Sequence, residues 1–184
     1  MKLLNNRKFA WAVLTVCMLV SVIGFGGGSL AAQRSQVMHV FNEGVDPSFA
    51  VRFSMDAYLE NGSGYARVMA EEYRLYVDAD GETAARVLEL AGQIGDGEDL
   101  NARCAAYQAL CASVETLYTD FHTASVADSD RKLFDNAYAN FQGEVSKLKY
   151  DDYHALAEKF NQSRNGFPAS AICSLLGIEP LNPF

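Results

Sequence analysis

Residues 99–126 read DLNARCAAYQALCASVETLYTDFHTASV, and the order of their apolar side chains points to one fold class. Cys104, Tyr107, Cys111, Val114, Tyr118 and Phe121 recur at alternating spacings of three and four, the seam of a long helix flanked by Leu100, Leu110 and Leu117. The preceding Gly95-Asp96-Gly97-Glu98-Asp99 reads as a turn whose acidic residues favour a helix start.

The same stripe repeats on either side. From about Asp130 to Asn165 it runs through Phe134, Tyr138, Phe141, Val145 and Leu148, slips near Tyr150, and resumes with Tyr153, Leu156 and Phe160. From about Ser48 to Ala79 it runs through Tyr58, Tyr65, Met69, Tyr73 and Tyr76, with a kink expected at Asn61-Gly62-Ser63-Gly64. A shorter helix from Glu82 to Ile94 is expected to turn Ala85, Leu88 and Ala91-Gly92 inward. Short breaker clusters separate the segments, at Gly44-Val45-Asp46-Pro47, Asp80-Gly81, Gly95-Asp96-Gly97, Ala127-Asp128-Ser129 and Gly166-Phe167-Pro168. Joins of that length connect antiparallel helices, and four such helices can bury stripes that one alone leaves exposed. The expected architecture is all-α: an N-terminal transmembrane helix, then an antiparallel four-helix up-down bundle with a short C-terminal capping helix.

The transmembrane expectation comes from residues 9–25, FAWAVLTVCMLVSVIGF, which carry no charge. Lys2, Arg7 and Lys8 precede them, so the positive-inside rule leaves the N-terminus cytoplasmic and the rest outside. Seventeen residues rise only about 25 Å against a ~30 Å hydrocarbon core, and either extension through Gly26-Gly27-Gly28-Ser29-Leu30-Ala31-Ala32 or local bilayer thinning would make up the difference. Two other fates compete with a retained anchor. Ser29-Leu30-Ala31 has the small-x-small form of a signal cleavage site, which would release the body as a secreted protein. A lipid tail at Cys17 is the third, disfavoured by Val16 where a small residue is wanted. The chain thus divides into 1–29, basic tip and span, and 30–184, an extracytoplasmic body.

That body carries 12 basic against 23 acidic side chains, a net of −11, which opposes nucleic acid and anionic lipid surfaces. Beyond Cys17, the thiols are Cys104, Cys111 and Cys173, with no Cys-x-x-Cys pair. Cys104 and Cys111 sit two helical turns apart, about 10.5 Å in rise, too far for a disulfide. Cys173 could bridge one of them, or all three could be small apolar core residues.

No catalytic or metal motif is present. A di-iron bundle needs two Glu-x-x-His motifs, yet Gln36, Thr119 and Asp151 stand three before His39, His122 and His154. His39 with Glu43 and Asp151 with His154 can each share a helix face, too few ligands for a site, and they read as solvated pairs. Asp78-Ala79-Asp80-Gly81-Glu82 lacks the ligands of a calcium loop, and no Gly-x-Ser-x-Gly occurs. The expectation is no catalytic residue, no cofactor and no metal.

One segment is distinctive: Tyr153-His154-Ala155-Leu156-Ala157-Glu158-Lys159-Phe160-Asn161, then Phe167-Pro168-Ala169-Ser170-Ala171, then Leu176-Gly177. Gly166 can end the long helix in left-handed geometry, and Pro168 suits the first turn of a new one. Ile172, Leu175 and Leu176 would then cap the bundle end, with Phe167 stapling the corner and Asn161 bonding exposed backbone there. This arrangement resembles the C-terminal signature of the LemA family, with Asn161, Phe167, Pro168, Ala171 and Gly177 at matching positions. Phe160 stands where tyrosine is usual, and His154 where an earlier asparagine often lies. The resemblance covers roughly residues 98–184 and thins toward the N-terminus. It implies a single N-terminal span followed by an antiparallel helical bundle, with no established activity or cofactor. The functional expectation is a bacterial-type, membrane-anchored module that acts as a scaffold for a protein partner at the cell envelope. The alternative is a sensor or carrier whose core opens for a small apolar molecule.

Overall fold

The computed structural model describes residues 7–44, 54–77, 81–96 and 99–182. These form seven α-helices and no strand: α1 (Arg7–Glu43), α2 (Met55–Tyr76), α3 (Glu82–Asp96), α4 (Leu100–Thr123), α5 (Asp128–Lys149), α6 (Tyr153–Arg164) and α7 (Ala169–Leu176). The expected helix start at Ser48, most of the Gly44–Pro47 break and the Asp78–Asp80 half of the acidic loop lie outside the described residues.

α1 has 37 residues, about 55 Å at 1.5 Å per residue. Its first half is exposed on every side, Trp11, Val16, Val20 and Phe25 included, whereas Leu30, Val37 and Phe41 further on are buried. It is long and apolar enough to cross a membrane. Gly26, Gly27 and Gly28 sit within it without a break. The helix stops where Gly44 takes a φ of 79° and its amide bonds the Val40 carbonyl at 2.8 Å.

α2 packs against α3 and α5, with further contacts to α4 and α1, and α3 packs against α4. Ser54 caps α2 by accepting the Ala57 amide at 3.2 Å, and Asp99 caps α4 by accepting the amides of Asn101 and Ala102. The kink expected at Asn61-Gly62-Ser63-Gly64 does not interrupt α2, which stays helical throughout. Gly62 is there for space instead: a Cβ would fall 2.9 Å from the Tyr107 hydroxyl of α4. Between α4 and α5 the seam is filled by rings, Phe121 stacked on Phe134 and Tyr118 on Tyr138, each with centroids 3.8 Å apart. Glu115 accepts from the Tyr138 hydroxyl at 2.8 Å and from the Gln142 amide at 2.6 Å on the solvent side of that seam.

Two expectations about faces and one about a helix boundary are corrected. α3 turns Ala84, Val87, Leu90, Ala91 and Ile94 inward, while Ala85 is exposed and Leu88 half-buried. It lies against two helices, and an alanine-rich sequence defines its wet side poorly. On α4 the flanking Leu110 and Leu117 are fully buried, whereas Cys111 and Tyr118 of the expected seam are half-buried. The single helix expected from Asp130 to Asn165 is two, broken at 150–152. There Asp151 accepts the Tyr153 amide at 2.9 Å and starts a new helix, and His154 Nε2 bonds the Leu148 carbonyl at 2.6 Å. His154 therefore serves the break rather than pairing with Asp151. The break redirects the stripe: α5 packs on α2, but α6 packs on α1, where Tyr153 meets Phe41 edge-on at 5.4 Å.

Candidate functional site

The polar clusters of the body are fastenings. His122 Nε2 lies 2.9 Å from Asp135 Oδ1 while Arg131 Nη1 lies 3.0 Å from His122 Nδ1. A guanidinium can only donate, so Nδ1 accepts and Nε2 carries the proton to Asp135. Arg131 also bonds the Ala124 carbonyl at 3.2 Å, closing the α4–α5 turn. Arg103 of α4 bonds the Ile94 carbonyl at the end of α3, pairs with Asp56 of α2, and lies over the Phe41 ring of α1. All four cysteines are free. Burial pushes the Cys104 thiol up to about 12 and Cys111 up to about 11, so neither is a thiolate near neutral pH. His39 and Glu43 form an exposed pair one turn apart at 3.9 Å. Among the described residues no three His, Cys, Asp or Glu side chains gather as metal ligands.

The five signature residues divide into two groups. Asn161, half-buried on α6, donates to the Leu181 carbonyl at 2.7 Å and accepts the Leu181 amide at 3.0 Å. It thereby holds the tail after α7 rather than the Gly166–Pro168 corner. Asn101 and Tyr153 hold the same tail through Pro180 and Asn182, and Leu181 is fully buried. Gly177 has the left-handed conformation, φ 64°, that turns the chain from α7 into this tail, with the Ile178 amide on the Cys173 carbonyl at 2.9 Å. Gly166 does not have that conformation; α6 ends at Asn165 with φ −80°.

Phe167, Pro168 and Ala171 come together on the other side of α7. Phe167 does not staple the corner from within: it is 90% exposed, and the peptide bond joining it to Pro168 is cis. Nor does α7 cap the body. It packs on α1 and α6, its buried side being Ile172 and Cys173 against Leu30. The glycines of α1 form its seat: a Cβ on Gly26 would fall 2.7 Å from Ile172 Cδ1, and Leu176 lies directly over Gly27. Beyond that seat Met18, Leu19, Val22 and Ile23 of α1 face Phe167, Pro168, Ala171, Ile172 and Leu175 across a groove of about 400 Å³. Every wall residue is apolar. On the side toward the body the character changes, and a cleft of about 510 Å³ includes Arg34, Ser35 and Glu179.

Sequence reasoning missed the α1 half of this groove, having read residues 18–23 as span and 26–28 as its extension. Its one available signal was three small residues in succession on a long helix, which allow another helix to approach closely. No family model matches the chain, and neither a curated protein nor a solved structure matches it.

Proposed function

We propose that this chain is a LemA-like, membrane-anchored helical protein, with α2 to α5 as an antiparallel up-down bundle, acting through protein association at the cell envelope rather than through catalysis. One observation carries the reading: α1 is a single helix whose first half is apolar and exposed all round while its second half is packed into the body. An exposed apolar helix of that length is unfavourable in water and favourable in a bilayer. Its continuity through Ser29-Leu30-Ala31 supports a retained anchor over cleavage, since Leu30 is buried beneath α7. Lys2, Arg7 and Lys8 against the lone Arg34 support a cytoplasmic N-terminus and an extracytoplasmic body. The short joins α3–α4 and α4–α5, and the packing of α2 on α3, α4 and α5, support the bundle.

The test is in-cell crosslinking from native membranes, read beside native mass spectrometry of the detergent-solubilised chain. A recurrent, stoichiometric protein partner is the expected result. A stoichiometric small molecule would instead favour the carrier reading, whose one supporting observation is the apolar groove between α1 and α7. Protease digestion of intact protoplasts checks the topology, and full protection of a body that is cleaved after lysis would reverse it.

A further inference from the structure

We propose that α7 is a second membrane-contacting element: the Phe167-Pro168 corner and the outward side of α7 enter the hydrocarbon core from the body's side, and lipid acyl chains fill the groove against α1. This rests on α1 being a span, and two observations carry it further.

The first is depth. After Lys8 the next charge on α1 is Arg34, so the uncharged stretch is 9–33. A hydrocarbon core takes about 20 helical residues. Wherever such a band is set within 9–33, it contains Met18 to Ile23, which wall the groove, and Gly26 and Gly27, which seat α7. The corner therefore lies at acyl-chain depth under every placement, and only the tail after Gly177 returns toward Arg34 and Glu179.

The second is composition. No charge occurs between Arg164 and Glu179, which bracket the corner and α7. Within that stretch Phe167 is 90% and Leu175 66% exposed, both lining the groove against α1, where water would meet unburied hydrocarbon.

The experiment uses the chain's single tryptophan, Trp11, as an internal control for the span. Three full-length proteins are reconstituted in phosphatidylcholine vesicles with and without lipids brominated along the acyl chain. They are the wild type, Trp11→Phe with Phe167→Trp, and Trp11→Phe with Leu175→Trp. The expected result is that the indoles at positions 167 and 175 lose most of their emission to the brominated lipid and are shielded from aqueous iodide. Quenching of Trp11 in the wild type with iodide-accessible indoles at both 167 and 175 overturns this inference and leaves the span intact. Failure of all three indoles to be quenched overturns the span and this inference together. Indoles shielded from both quenchers, with emission that changes on diluting protein into lipid, mean that a second copy covers the groove, which also overturns it.

Discussion

Phe167 and Ile172 lie five positions apart, one exposed and one buried, so truncating them separates surface from core. Phe167 is 90% exposed, and Phe167→Ala is expected to leave the thermal melt of the detergent-solubilised chain within about 0.5 kcal/mol of wild type. Ile172→Ala removes a buried side chain from the seat on Gly26 and should cost about 2–4 kcal/mol at that packing. Equal melts for the two variants would refute the packing described for α7. Cys104 gives a second test, through pH. Its thiol is buried and raised from 9.0 to about 12, so the folded state keeps a proton that the unfolded chain releases near pH 9. The contribution is whole below about pH 8 and falls as pH climbs toward 12, by at most about 1.4 kcal/mol per pH unit for this one group. Denaturant melts at pH 8 and pH 10.5 should show a smaller loss for Cys104→Ala than for wild type. An identical loss would mean that Cys104 is not what resists ionisation.

The Asn61–Gly64 run in α2 shows why a local rule gives one answer and packing another. Both glycines weaken a helix interior, which is why a kink was expected. A Cβ at Gly64 meets nothing within 4 Å, so Gly64→Ala should stabilise the protein by about 0.5–1 kcal/mol. A Cβ at Gly62 would press on the buried Tyr107, itself packed against Phe141, so Gly62→Ala should lose about 1–3 kcal/mol despite its better propensity. Paired thermal melts decide it, and a gain at Gly62 would show that Tyr107 can move aside. The break between α5 and α6 has the same character. The stripe slips near Tyr150 and resumes in a pattern that one helix could carry, but Asp151 bonding the Tyr153 amide starts a new helix that leaves α2 for α1. An i, i+3, i+4 pattern reports which residues are apolar, not which neighbour they will meet.

At the scale of the whole molecule, α1 is both the proposed anchor and the floor on which α7 rests. Removing residues 1–29 should therefore leave α2 to α5 folded while α7 loses Gly26 and Gly27. Hydrogen exchange should then show fast-exchanging amides in α7 beside protected ones in α2 to α5, and an α7 as protected as in the intact chain would show that α1 is not its seat. The helices other than the division of α5 from α6, the apolar length of α1 and the absence of charge in 9–33 were legible in the sequence, because each depends on neighbours within a turn or two. The order α2 to α5 followed from their stripes and joins. The sequence could not place Phe167: the same Phe-Pro step reads as a staple or as an exposed wedge, and the side is chosen by Ile172 and Leu176 finding Gly26 and Gly27 at the other end of the chain. It could not place Asn161 either, whose partner is the Leu181 backbone twenty residues on. Local periodicity and charge determined the elements of this protein; the groove and the clamped tail were decided only by tertiary packing, since their contacts join residues whose proximity no local interaction encodes.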